Sequence, residues 1–177
     1  MTVAEKENES LKRELKFKTE SGFQTVTASI TFFDPTNLRE SILIDKGTND
    51  GIRPKMAATS EGFLIGRVTD VYSDSSKILL ITDPMSNVPS LLPDVNAIGL
   101  VQGQVGMGLN MSQIPQETDV KKGAVVVTSG LGGEYPKGLI IGKVENITRK
   151  NNSIFQSASL RTLIDFKLLE RVQIIKE

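Results

Sequence analysis

Gly62-Phe63-Leu64-Ile65-Gly66-Arg67-Val68-Thr69-Asp70-Val71 and Gly138-Leu139-Ile140-Ile141-Gly142-Lys143-Val144-Glu145-Asn146-Ile147 repeat one pattern: glycine, three apolar residues, glycine, a basic residue and valine. A shorter β-type run ending in Thr-Ser precedes each, Gly51 to Ser60 in the first case and Val120 to Ser129 in the second, followed by a glycine-bearing connection. Glycine within a strand permits tight coiling or the close approach of another backbone, and a small β unit bent in this way closes a sheet into a barrel. Gly66 and Gly142 are therefore the expected structural glycines, and the repeat predicts two related β units in tandem.

The flanking sequence continues the theme. Between residues 24 and 33, Val26, Ala28, Ile30 and Phe32 alternate with Thr25, Thr27, Ser29 and Thr31, the pattern of a half-buried strand. Further short strands are expected at 41–45, 56–59, 63–72, 77–82, 88–92, 97–102, 107–111, 124–128, 139–148, 154–160 and 167–175, separated by turn chemistry such as Lys46 to Gly51. Such spacing belongs to an all-β sandwich or barrel. The expected organisation of the 177 residues is a coiled-coil helix over 1–20, a first six-stranded-type β-barrel over 21–95 and a second over 96–177. The boundary is soft, because strands can be exchanged between tandem barrels and the last one can return to the first.

The helix is read from spacing. Residues 1–18 are charged and lack Gly and Pro, and Met1, Ala4, Asn8, Leu11 and Leu15 fall on the 3-4-3-4 seam of a coiled coil. Ala4, Asn8, Leu11 and Leu15 are thus the expected dimerisation residues. Asn8 takes a seam position where one Asn can pair with its twin and fix register at some cost in stability. A stretch this short is marginal alone, which points to a longer helix upstream in a parent protein.

Composition excludes much chemistry. The chain has no Cys, no His and no Trp, and its 21 basic side chains balance 21 acidic ones. Without His or Cys there is no Ser-His-Asp triad, Cys-His dyad, thiolate redox motif or ordinary zinc site. A net charge of zero gives no global field to favour nucleic acid. No cofactor, metal or nucleic-acid partner is expected. No apolar run reaches the roughly 20 residues that span a bilayer, and no signal peptide opens the chain.

Remaining motifs read as structure. Gly130-Leu131-Gly132-Gly133 lacks the Lys-Ser or Lys-Thr pair of a phosphate loop and leads into a strand, as does Gly103 to Gly108. Ser129 with Lys137 or Lys143 is the one arrangement able to support Ser-Lys nucleophilic chemistry, against a turn in which the Ser129 hydroxyl bonds backbone. The aspartates stand mostly beside Pro or Gly and lack the spacing of a calcium loop. The loop residues Ser129, Gly130, Leu131, Gly132, Gly133, Tyr135 and Pro136 are the candidate contact surface for other proteins.

The ordered set of motifs resembles a family, the rod-shape-determining protein MreC of bacterial cell-wall elongation. The resemblance covers nearly the whole chain. It rests on Glu9-Ser10-Leu11-Lys12, Leu43-Ile44-Asp45-Lys46-Gly47 followed by Asp50-Gly51, Gly62 to Val68, Leu80-Ile81-Thr82-Asp83 and, most specifically, Thr128 to Val144. What the resemblance implies is a scaffold without catalytic activity, with a dimerising coiled coil and two extracytoplasmic β-barrels. It would link the actin-like cytoskeleton, through integral membrane proteins of the elongation complex, to penicillin-binding proteins that build peptidoglycan. Homodimers and higher self-assembly are implied too, as is anchoring to the membrane through a segment missing from this chain. A periplasmic adaptor of an efflux or secretion complex also joins a coiled coil to β domains. Such an adaptor needs a second, antiparallel helix where this chain passes straight into strands.

Overall fold

The computed structural model describes residues 2–9, 23–34, 40–104 and 108–176. Residues 3–9 are helical, and Leu11 and Leu15 of the expected coiled-coil seam lie outside the described residues. The strands are β1 (Gln24–Phe33), β2 (Ser41–Ile44), β3 (Ala57–Ser60), β4 (Phe63–Val71), β5 (Ser76–Leu80) and β6 (Asn87–Leu92). They continue with β7 (Ala97–Gln104), β8 (Gly108–Pro115), β9 (Val125–Thr128), β10 (Ile140–Arg149), β11 (Phe155–Arg161) and β12 (Arg171–Lys176).

Pairing in the order β4-β3-β12-β1-β2-β5, closed by β4 with β5, makes a six-stranded barrel. The other strands follow the order β10-β9-β6-β7-β8-β11, and β11 returns to β10 to complete a second ring. One parallel bridge, Ile140 beside Phe63, joins β10 to β4. Among the described residues, closure leaves no long unpaired edge in either ring. The C-terminal β12 pairs with β1 and β3, while β6 pairs with β7 and β9, so residues 87–92 sit with the strands that follow them. The strand expected over 167–175 begins only at Arg171, because the Asp165 carboxylate accepts the Lys167 N–H at 3.0 Å and holds a 3-10 turn over Phe166–Leu168.

The sequence repeat is a repeat of bends. Gly66 faces Ala58 and Gly142 faces Val126, and in each strand the preceding isoleucine, Ile65 or Ile141, is a bulge that the neighbouring strand skips. On the other flank a second bulge skips Thr69 in β4 and Glu145 in β10. Each bulge adds local twist, and together they coil the strand around its ring. The glycines are needed because another backbone passes where a Cβ would be. A methyl group on Gly66 would collide with the Leu79 carbonyl, and one on Gly142 would lie 2.5 Å from that of Arg161.

Inside the barrel, Ile42, Ile44, Leu64, Ile78, Val172 and Ile174 are fully buried; Val88, Val101, Leu109, Met111 and Val126 fill the second ring. Each such side chain contributes about 1.5–3 kcal/mol through apolar burial. The rings meet at the turn after β5. Asp83 is fully buried there, and its carboxylate accepts the backbone N–H of Glu40 and of Met85, each at 2.7 Å. Gly103 of β7 lies so close to the Thr82–Asp83 backbone that no Cβ fits. The Gln102 side chain adds a bond to the Pro84 carbonyl at 3.1 Å. Burial raises the Glu40 carboxyl pKa and Asp83 adds to the rise, with Lys167 opposing it and Asp34 adding a smaller push.

Gly66→Ala and Gly142→Ala should each destabilise the protein by about 1–3 kcal/mol, since the added carbon meets backbone that cannot yield. Gly108→Ala, whose nearest neighbour is a flexible Gln104 oxygen at 4.0 Å, should be close to neutral. Thermal unfolding followed by circular dichroism distinguishes the three.

Candidate functional site

Antiparallel strands with one face in solvent should alternate apolar and polar residues. Three stretches here do not: Val125-Val126-Val127, Leu139-Ile140-Ile141 and Phe63-Leu64-Ile65. In each, one residue turns to the core and a neighbour faces outward. Register sets those outward residues side by side. Ile98 pairs with Leu91, Leu91 with Val127, Val127 with Ile140, and Ile140 with Phe63. Directly paired residues project from the same face, so these form one apolar ladder running from β7 across β6, β9 and β10 to β4. It crosses from the second ring onto the barrel. Ile98 is 52% exposed, and Leu91, Val127, Ile140 and Phe63 are half-buried. Pro89 and Leu100 pair next to it and widen the surface.

The loop between β9 and β10 rims this face. The Ser129 N–H donates to the Pro89 carbonyl at 3.0 Å, and residues 131–133 lie against β6. Gly130, Gly132 and Gly133 all have left-handed φ, near +77°, +79° and +72°, which lets the chain fold back on itself. The Thr128 hydroxyl accepts the Leu139 N–H at 2.9 Å and donates to the Pro136 carbonyl at 2.5 Å, holding both ends of the loop. Leu131 is 55% exposed at the tip. The Ser129 hydroxyl accepts the Leu131 N–H at 3.2 Å, so it serves the turn.

Of the loop residues expected to contact other proteins, Leu131, Gly132 and Gly133 are exposed, Ser129, Gly130 and Pro136 are half-buried, and Tyr135 is turned inward. Tyr135 anchors the loop to the barrel side of the junction, close to Arg67 and Ser86. Its hydroxyl and that of Ser86 are both buried, and by distance and angle neither completes a hydrogen bond among the described residues. Burial pushes the phenol up to about 12; Arg67 opposes the rise, Glu134 adds to it, and Ser86 opposes it weakly. Ala4 and Asn8 are both exposed on the helix at 3–9. Among the described residues no group of three or more acidic side chains converges as a metal-ligand set. The ladder residues escape a reading that looks for polar chemistry, and the signal that marks them is the failure of alternation.

Tyr135→Ala should cost about 3–5 kcal/mol by leaving a cavity, whereas Tyr135→Phe, which deletes only an unpartnered hydroxyl, should be nearly neutral. Because the folded-state phenol lies above its unfolded value of roughly 10, its contribution to stability is complete below that pH and lost as pH rises through the folded value. Denaturant unfolding at stepped pH should show that alkaline loss in the native chain and not in Tyr135→Phe.

Residues 30–176 match the family model described as rod shape-determining protein MreC, barrel core. A cell shape-determining protein MreC from Listeria monocytogenes is 35% identical over 97% of this chain and 60% of its own length. A solved MreC structure from the same organism superimposes with a TM-score of 0.80 at 33% identity, covering 98% of this chain and 89% of that one. MreC in a solved complex with penicillin-binding protein (PBP2) from Helicobacter pylori gives a TM-score of 0.69 at 18% identity, over 88% of this chain and 99% of that one, a likeness of fold. The match to the barrel core and the identity to the Listeria relative together place this chain in the MreC family of cell shape-determining proteins.

Proposed function

We propose that this chain is the extracytoplasmic part of a non-catalytic scaffold for bacterial cell-wall elongation, and that the apolar ladder is the face on which it receives a peptidoglycan synthase of the penicillin-binding class. The observation that carries this reading is the ladder itself. Five paired residues present an apolar stripe across two rings, flanked by a loop held rigid at both ends. A surface of this kind gains from burial against a complementary apolar patch and, being preorganised, loses little entropy on binding. The solved Helicobacter complex lends support, since its MreC shares this fold and is bound to a penicillin-binding protein.

On this reading the two rings act as tandem β-barrels. The first comprises residues 24–82 with 171–176 and the second residues 87–161, which moves the division from 95/96 to the turn around Asp83. The scaffold works by proximity, linking synthases and integral membrane proteins of the elongation complex to the actin-like cytoskeleton. The chain spans about 60% of the length of its Listeria relative, and anchoring to the membrane through a further segment is part of the same proposal. Dimerisation through Ala4, Asn8, Leu11 and Leu15 is part of the same proposal, supported by the exposure of Ala4 and Asn8.

The double variant Ile98→Glu with Leu131→Glu alters two exposed side chains and should leave the unfolding midpoint unchanged. It should weaken binding of the extracytoplasmic domain of a cognate penicillin-binding protein by about tenfold or more, measured by biolayer interferometry. Undiminished binding would move the docking face elsewhere. For the helix, sedimentation equilibrium should show a dimer for residues 1–177, a monomer when the chain starts at Ser21, and altered stability or stoichiometry for Asn8→Leu.

A further inference from the structure

Leu43 to Gly51, one of the stretches that carry the family resemblance, takes no part in the ladder. It leads from β2 into the connection 45–56, at the end of the first barrel that β4 reaches at Val71, whereas the ladder meets β4 at its other end, Phe63. There it is zipped to the turn between β4 and β5. The Thr48 N–H donates to the Tyr72 carbonyl at 2.9 Å and the Asn49 N–H to that of Ser73 at 3.1 Å, while the Tyr72 N–H closes the turn on the Ser75 carbonyl at 2.8 Å. The Ser76 hydroxyl donates to the Lys46 carbonyl at 2.6 Å, and Gly47 passes so close to the Tyr72 and Ser73 backbone that no Cβ fits. On this fixed platform the Tyr72 side chain is 56% exposed, although the other tyrosine of the chain, Tyr135, is buried. Thr48, Asn49, Ser73 and Asp74 beside it are all exposed, and the Asn49 amide donates to the Asp74 carboxylate at 2.8 Å.

An exposed aromatic ring beside a fixed amide–carboxylate pair suits a sugar. The ring covers the apolar C–H face of a pyranose, and the polar pair meets its hydroxyl and amide groups. Bonded to each other, Asn49 keeps its carbonyl oxygen and one amide hydrogen, and Asp74 keeps a second carboxylate oxygen. Charge points the same way. Residues 45–56 and 72–75 carry Lys46, Arg53 and Lys55 against Asp45, Asp50 and Asp74, so no excess of either sign favours an ionic partner. Tyr72 is the one large apolar side chain these two loops leave exposed, too little area for a stable protein interface. We propose that Tyr72, Asn49 and Asp74 form a contact site for an amino-sugar glycan, with Tyr72 stacked on a sugar ring and Asp74 accepting an acetamido N–H. The site rests on the extracytoplasmic placement proposed above, where glycan of this class is what the synthases make. It lies apart from the ladder, so neither occupant blocks the other.

The test is amide-resolved NMR on the full chain, titrated with chitotetraose, an N-acetylglucosamine oligomer, and with cellotetraose, which has hydroxyls in place of the acetamido groups. The expected result is saturable shifts at Thr48, Asn49, Tyr72, Ser73 and Asp74 with chitotetraose, and binding of cellotetraose weaker by about threefold or more. Tyr72→Ala should weaken chitotetraose by about fivefold or more and Tyr72→Phe by less than about twofold, because stacking needs the ring and not the hydroxyl. Both variants should keep the unfolding midpoint, since the ring stands outside the core. No saturation, shifts confined to other amides, equal binding of the two oligomers or full affinity in Tyr72→Ala would overturn the proposal. Ile98→Glu with Leu131→Glu should leave glycan binding intact. A failure here therefore leaves the synthase dock standing, and loss of that dock is read separately by interferometry.

Discussion

Two backbone crossings carry this architecture. Where Gly66 runs under the Leu79 carbonyl and Gly142 under that of Arg161, strands approach more closely than any side chain permits. Six strands make a narrow barrel that must coil strongly to close, and a bulge on either side of each glycine supplies the added twist. Each ring thus depends on one residue with no Cβ in its most curved strand. Everything on the outer surface inherits its position from those bends, the ladder included, because the skipped Ile65 and Ile141 decide which neighbours face outward.

The junction between the rings has a different basis. It combines one parallel bridge with the buried Asp83 carboxylate, which satisfies two backbone N–H groups from different segments. A buried charge is tolerated only when its hydrogen bonds are complete, and breaking such an arrangement costs far more than an exposed ion pair returns. Gly103 against Thr82 and Asp83, with Tyr135 packed near Arg67 and Ser86, adds close packing to the same place. Two rings joined in this way present Ile98 and Phe63 on a single continuous surface.

Much of this was legible in the residues, and the rest was hidden for physical reasons. Strand positions follow from period-2 patterning and turn residues, and the repeat singles out Gly66 and Gly142 by composition alone. The carbonyls they pass beneath belong to Leu79 and Arg161, outside the repeat, so only the folded structure identifies them. Tyr135 looks like a loop residue because it stands before Pro136 in a glycine-rich stretch, Gly130 to Gly138, yet an aromatic ring in such a loop is also its most effective anchor. The ladder depends on register between strands far apart in sequence, which no local pattern encodes, although the unbroken run Val125-Val126-Val127 records that both faces are apolar. The return of the last strand to the first barrel obeys pairing energetics between β1 and β12 and leaves no trace in either strand read singly.

That return makes the connectivity nested: the second ring is an insertion between β5 and β12 of the first. The first barrel cannot close until β12 is made, whereas all strands of the inner ring precede it. Long-range pairing of this kind is slow, because the ends are brought together against chain entropy before contacts repay it. A chain emerging end first would therefore complete its inner module before its outer one, leaving β1 unpaired on one side until β12 arrives. The edge exposed in that interval is the place where assembly of the whole scaffold is most open to misassociation.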